Sequence, residues 1–147
     1  MKKANSAILF LLRIFFAILF FYSAYSKLAA PLDFAGAIEN YQVFGPLAAR
    51  WIAVFVPMLE LLVGFMLLTG LYKQEAFVLT IFLFLIFDVI VLQAYLRGLD
   101  ISCGCFGESL NASVNFWKIT ENTVLTLLAL WGWVLLGRLR EIREIQQ

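Results

Sequence analysis

Apolar residues run along this chain in four long blocks, not in the alternating or one-faced patterns of a water-soluble fold. The blocks are Ser6 to Tyr25, Ala48 to Thr69, Glu75 to Tyr95 and Trp117 to Leu136. Each is about 20 residues long, the length an α-helix needs to cross a bilayer core of roughly 30 Å. The first could be taken for a signal peptide. Its apolar part is too long for that, Arg13 interrupts it and no A-x-A site follows, so an uncleaved first span is expected. The connection 26–47 is polar and aromatic. Within it Phe34, Ile38 and Tyr41 recur at helical spacing, which predicts a short helix lying at the interface. Gly70 to Gln74 reads as a tight turn, and the charged tail from Gly137 to Gln147 as an exposed continuation of the last helix. The expected fold class is therefore all-α, an integral membrane four-helix bundle with a short interfacial helix in the first extracytoplasmic loop. Residues 1–147 are expected to form one transmembrane domain, with spans at about 6–25, 48–69, 75–95 and 117–136. No internal repeat is visible.

Composition supports this reading and removes several functions. The 147 residues are 63% hydrophobic and 14% charged, against about 45–50% apolar and about 25% charged in a soluble domain. The lipid bilayer is thus the first partner. With a net charge of +1 and no basic run, nucleic acid is not one. The absence of histidine excludes His-based metal sites and Ser-His or Cys-His catalysis. Two cysteines cannot by themselves complete a four-ligand structural zinc site, so no metal is expected.

Both cysteines fall in the most polar long break, 97–107, where Cys103 and Cys105 flank Gly104. Two thiols so close can form a disulfide and be reduced again, and Gly104 lets the backbone bend between them. A ring closed over one residue is strained, which favours reduction. The same spacing also fits a permanent local staple or two free thiols. Arg97 and Lys118 favour thiolate, while Asp100 and Glu108 oppose it.

Basic residues orient the bundle. Lys2, Lys3, Lys73, Arg138, Arg140 and Arg143 lie on one side, against Lys27, Arg50, Arg97 and Lys118 spread over two longer loops. This favours cytoplasmic termini and puts the cysteines outside the cytoplasm, where disulfides persist.

Arg13, Glu60 and Asp88 lie inside expected spans. Intramembrane charges face the bundle interior and pair. At about 1.5 Å per residue, Arg13 comes roughly 10 Å, Glu60 roughly 15 Å and Asp88 roughly 18 Å from the cytoplasmic edge. A pair between Arg13 and Glu60 is expected, with Asp88 sharing that arginine or protonated. These charges fit a structural pair that fixes helix register, or a proton or quinone site. Pro57, Glu60 and Gly64 share one face of the second span.

Taken together these residues resemble the MauE/DoxX-like family of four-helix membrane proteins, over almost the whole chain. The shared features are Arg13 early in the first span, Ser26-Lys27 after it, and Val56-Pro-Met-Leu-Glu-Leu-Leu-Val-Gly64 in the second. Arg97-Gly98 followed by Cys103-Gly104-Cys105-Phe106-Gly107 is similar to the MauE branch specifically. Asn122 falls where that branch carries an Arg-Asn pair, with Glu121 in the arginine's place. The resemblance implies a redox-associated protein of the bacterial inner membrane. It implies Cys103 and Cys105 as the reacting thiols, a periplasmic thioredoxin-like partner, and a role in maturing disulfide-containing exported proteins, as in methylamine utilisation. Through the DoxX relatives it implies quinone as a candidate carrier, although no quinone motif can be read in the sequence. Two other functions stay open: a membrane scaffold with a structural disulfide, and a small proton-coupled transporter built on Arg13, Glu60 and Asp88.

Overall fold

The computed structural model describes residues 2–98 and 116–144, with the side chains of 5–98 and 119–141. These residues form five helices and no strand: α1 Lys2–Ala29, α2 Pro31–Asn40, α3 Pro46–Thr69, α4 Lys73–Leu96 and α5 Phe116–Glu144. Four of them are long and apolar enough to cross a bilayer, over Asn5–Ala29, Pro46–Thr69, Lys73–Leu96 and Ile119–Glu141. The chain is a helical, multi-pass membrane bundle, as the apolar blocks predict.

Helix boundaries follow from proline and glycine. The residue before a proline avoids the α region, and α1 stops at Ala29, with Ala30 non-helical before Pro31 opens α2. Pro46 likewise opens α3 after the extended Gly45. Proline suits a first helical turn, where its missing N–H costs nothing. α3 ends on Gly70, which is left-handed at φ 72° and donates its N–H to the Met66 carbonyl at 3.0 Å. That cap is the αL ending that glycine adopts without strain. α1 therefore runs one turn beyond the expected limit at Tyr25, and α5 runs beyond Leu136 to Glu144.

Small residues decide which helices approach closely. A Cβ on Gly64 of α3 would meet the Phe21 ring at 3.4 Å and the Ala17 carbonyl at 3.5 Å, both on α1. One on Gly132 of α5 would lie 2.6 Å from the Phe77 ring of α4. α1 thus packs on α3 and α4 on α5, the close approach that glycine permits in membrane bundles. Aromatic rings join the two pairs: Phe20 stacks on Phe84 at 5.5 Å, and Phe16 meets Phe77 edge-on at 6.5 Å. Large apolar side chains such as Leu11, Ile18, Phe65, Phe82 and Val89 face outward, because lipid imposes no penalty on them.

α2 lies across one end of the bundle. Its Ala35 and Ile38 pack on Ala49 and Ala53 of α3. Tyr41, just after α2, packs with Val91 and Ala94 near the end of α4 and with Ile119 near the start of α5. The end of α4 and the start of α5 therefore meet at Tyr41.

Candidate functional site

Glu60, buried in α3, pairs with Lys27 of α1. The pair is almost closed off from solvent, with Lys27 6% and Glu60 7% exposed. Ser23, one turn before Lys27, completes a triangle. Lys27 Nζ donates to Ser23 Oγ at 2.6 Å, and Ser23 Oγ donates to Glu60 Oε1 at 3.1 Å. The ammonium also lies 5.4 Å from the centroid of the Phe34 ring of α2, a cation–π contact. Lys27 reaches this depth because α1 remains helical through Ala29.

This geometry corrects the expected Arg13–Glu60 pair. Arg13 instead closes the C-terminus of α3: Nε and Nη2 donate to the Leu67 carbonyl at 3.0 and 2.8 Å, and Nη2 to Leu68 at 3.3 Å. Arg13 is thus level with Leu67, whereas Glu60 is level with Ser23, ten residues further along α1. At 1.5 Å per residue the two levels are about 15 Å apart. Depths counted from the ends of apolar blocks mislead here, because the first turns of α1 overhang the end of α3. A guanidinium on the last carbonyls of a helix satisfies orphan acceptors and meets the negative end of the dipole.

Asp88 shares neither cation. Its Oδ1 accepts from Asn122 Nδ2 at 2.7 Å and its Oδ2 from Thr126 Oγ1 at 3.0 Å, so it ties α4 to α5. Asn122 also donates to the Phe84 carbonyl at 3.2 Å. The three intramembrane charges therefore sit in three separate settings and form no relay with one another. Arg97 caps the end of α4, its N–H on the Gln93 carbonyl at 3.1 Å, and is exposed. Cys103, Gly104, Cys105, Phe106 and Gly107 lie outside the described residues. Ser23 and Thr126 were not singled out from the sequence. Their only signal is a spacing of four residues from Lys27 and Asn122, which puts each on the same helix face as its partner.

A cavity of about 330 Å³ opens beside the pair. Lys27, Ser23 and Glu60 line one part of it, with Tyr41 and Asn122 as further polar groups. The rest of the wall is apolar, with Phe20, Phe34, Phe44, Phe84 and Phe87 among aliphatic side chains. Ile86 and Phe44 line it and are 43% and 37% exposed, which marks its mouth. Burial in this wall pushes the Tyr41 phenol up to about 12. No cluster of metal-ligating side chains occurs among the described residues.

A family model described as "Methylamine utilisation protein MauE" matches residues 5–135. The Methylamine utilization protein MauE of Paracoccus denitrificans is 37% identical over 124 residues, 84% of this chain and 67% of that protein. The protein of the same name from Paracoccus versutus is 31% identical over 130 residues, 88% of this chain and 70% of its own. No solved structure matches the chain at a significant level.

Proposed function

This chain belongs to the MauE family of membrane proteins, and from that premise we propose that it is a membrane component of thiol–disulfide exchange. The observation that carries the reading is the Cys103-Gly104-Cys105 spacing in the segment between α4 and α5. Both helix ends pack beside Tyr41, next to the α2 end of the bundle. In the proposed orientation the protein sits in the bacterial inner membrane with cytoplasmic termini, and the thiols face the oxidising side.

A thiolate of a periplasmic thioredoxin-like partner attacks the Cys103–Cys105 disulfide, one sulfur leaves as thiolate, and a mixed disulfide forms. The partner's second thiolate attacks that bond, so the partner ends oxidised and this chain reduced. Two electrons and two protons have moved. A lipid-soluble carrier of the quinone class takes them up as quinol and restores the disulfide. Run backwards, the same steps reduce the partner. The end product is the correct disulfide set of an exported protein, with methylamine utilisation as the pathway that the relatives' name suggests.

Serine at one cysteine tests this. Taken in the reverse direction, with the Cys103 thiolate attacking the disulfide of an oxidised partner, Cys105→Ser should trap the partner in a mixed disulfide that a non-reducing gel resolves and a thiol reductant releases. Growth that depends on this protein should stop in the Cys103→Ser, Cys105→Ser chain. Full function in that double variant overturns the reading and leaves a scaffold.

A further inference from the structure

We propose that the outer face of α4 at Asp88 docks a membrane-spanning helix of another protein, which brings a lysine or arginine to that carboxylate. This inference stands on α4 and α5 alone and does not depend on the thiol chemistry.

The first observation is the company Asp88 keeps. Glu60 pairs with Lys27, and Arg13 closes the end of α3. Asp88 meets neutral donors, Asn122 at 2.7 Å and Thr126 at 3.0 Å, and no cation bridges it among the described residues. A carboxylate offers about four acceptor sites, so each oxygen keeps one to spare. Charged groups inside a bilayer pair with an opposite charge or face water, because hydrocarbon solvates neither sign.

The second observation is its place. Asp88 is half-buried, at the edge where the packed face of α4 gives way to the lipid-facing one. Phe84 and Val91 to one side are buried, whereas Leu85 and Leu92 to the other are exposed. At 1.5 Å per residue it lies about 12 Å from the Leu96 end of α4, well inside the span. An aspartate is too short to carry its charge from there to the head groups, as a lysine can.

The third is spacing. Val78, Ile81, Leu85, Asp88, Leu92 and Tyr95 recur at alternating intervals of three and four, and all are exposed or half-buried. That is the seam against which a second helix packs its side chains, and one polar residue in such a seam selects partner and register. Apolar positions alone would suit lipid. The carboxylate in their midst suits a helix of opposite charge. A second copy of this chain does not supply it: Arg13 and Lys27 are buried and engaged, and the other described cations lie near helix ends.

The test places the full chain, fluorescently labelled at its C-terminus, in phosphatidylcholine vesicles with a synthetic Leu-Ala helix of about 20 residues that carries an energy acceptor. The helix has Arg, Gln or Leu at its centre and is otherwise unchanged. A charge-assisted hydrogen bond to Asp88 predicts that the Arg helix associates about tenfold or more tightly than either control. Asp88→Asn keeps the shape and removes the charge, so the preference should disappear. Leu92→Trp, at an exposed position one turn from Asp88, should block the seam and abolish association of the Arg helix. Leu62→Trp, exposed on α3, should leave it unchanged. The Cys103→Ser, Cys105→Ser chain should bind as the natural sequence does, which separates this test from that of the thiols. Equal association of the three helices overturns the inference and leaves Asp88 as a tie between α4 and α5 alone. So does a preference that survives in Asp88→Asn, or association that survives in Leu92→Trp. Self-association of the chain that is lost in Asp88→Asn and resists the Arg helix would also overturn it, in favour of a second copy.

Discussion

Lys27 and Glu60 form an ion pair in the interior of the bundle, joining α1 to α3 beside α2. Removing one member strands the other's charge in the buried interior of the bundle. Breaking such a pair costs about 3–5 kcal/mol, whereas replacing both by apolar residues of similar volume is often neutral. Lys27→Met and Glu60→Leu should each sharply lower the resistance of the purified protein to denaturant in detergent. The double variant should recover most of the loss. Equal losses that simply add would mean that the pair does not interact.

Arg13 and Gly70 form a second unit at the opposite end. A Cβ on Gly70 would collide with the Arg13 guanidinium, and the residue's φ of 72° is itself unfavourable for any side chain. The left-handed backbone alone costs alanine roughly 1–2 kcal/mol. Gly70→Ala and Arg13→Ala should therefore both destabilise the end of α3. Arg13→Lys should rescue poorly, because a lysine cannot reproduce the fork of donors on neighbouring carbonyls. Since Arg13 and Glu60 do not meet, Arg13→Ala and Glu60→Ala should add to within about 0.5 kcal/mol. Strong coupling between them would restore the pairing expected from depth.

Tyr41 gives the fold an alkaline limit. Its folded value of about 12 lies above the ordinary tyrosine value of 10.0. Below pH 10 the phenol is neutral in both states and contributes no pH dependence. From pH 10 to 12 the unfolded chain loses its proton while the folded chain keeps it, so stability falls as pH rises. Tyr41→Phe should flatten that slope between pH 10 and 12 in thermal unfolding. An unchanged slope would assign it to other groups.

The proposed orientation rests on the basic residues at the termini and at Lys73. An impermeant maleimide applied to intact cells after reduction should label Cys103 or Cys105. Labelling that needs lysis would invert the proposed topology.

The fold was legible because lipid demands blocks of about 20 apolar residues, and the sequence shows four. The extent of α1 was not. Ser26 and Lys27 read as the polar start of a loop, yet the helix stops only where Pro31 forces it to. Placing Lys27 outside the helix hid its reach to Glu60. On α4 only the charge of Asp88 marks an inward face in the sequence, because in lipid most remaining positions are apolar all round and it is contact with Phe16, Phe20 and Asn122 that singles out Phe77 and Phe84. The pairing of Asp88 with Asn122 and Thr126 rests on residues whose small polar side chains carry no pattern of their own.

The reduction potential of Cys103 and Cys105 tests the exchange chemistry most directly. The purified protein would be equilibrated in thiol buffers of graded potential and its free thiols counted. The account predicts a midpoint among those of exchange proteins, between about −120 and −270 mV. A pair that stays oxidised in buffers poised below about −300 mV, where structural disulfides lie, would contradict it.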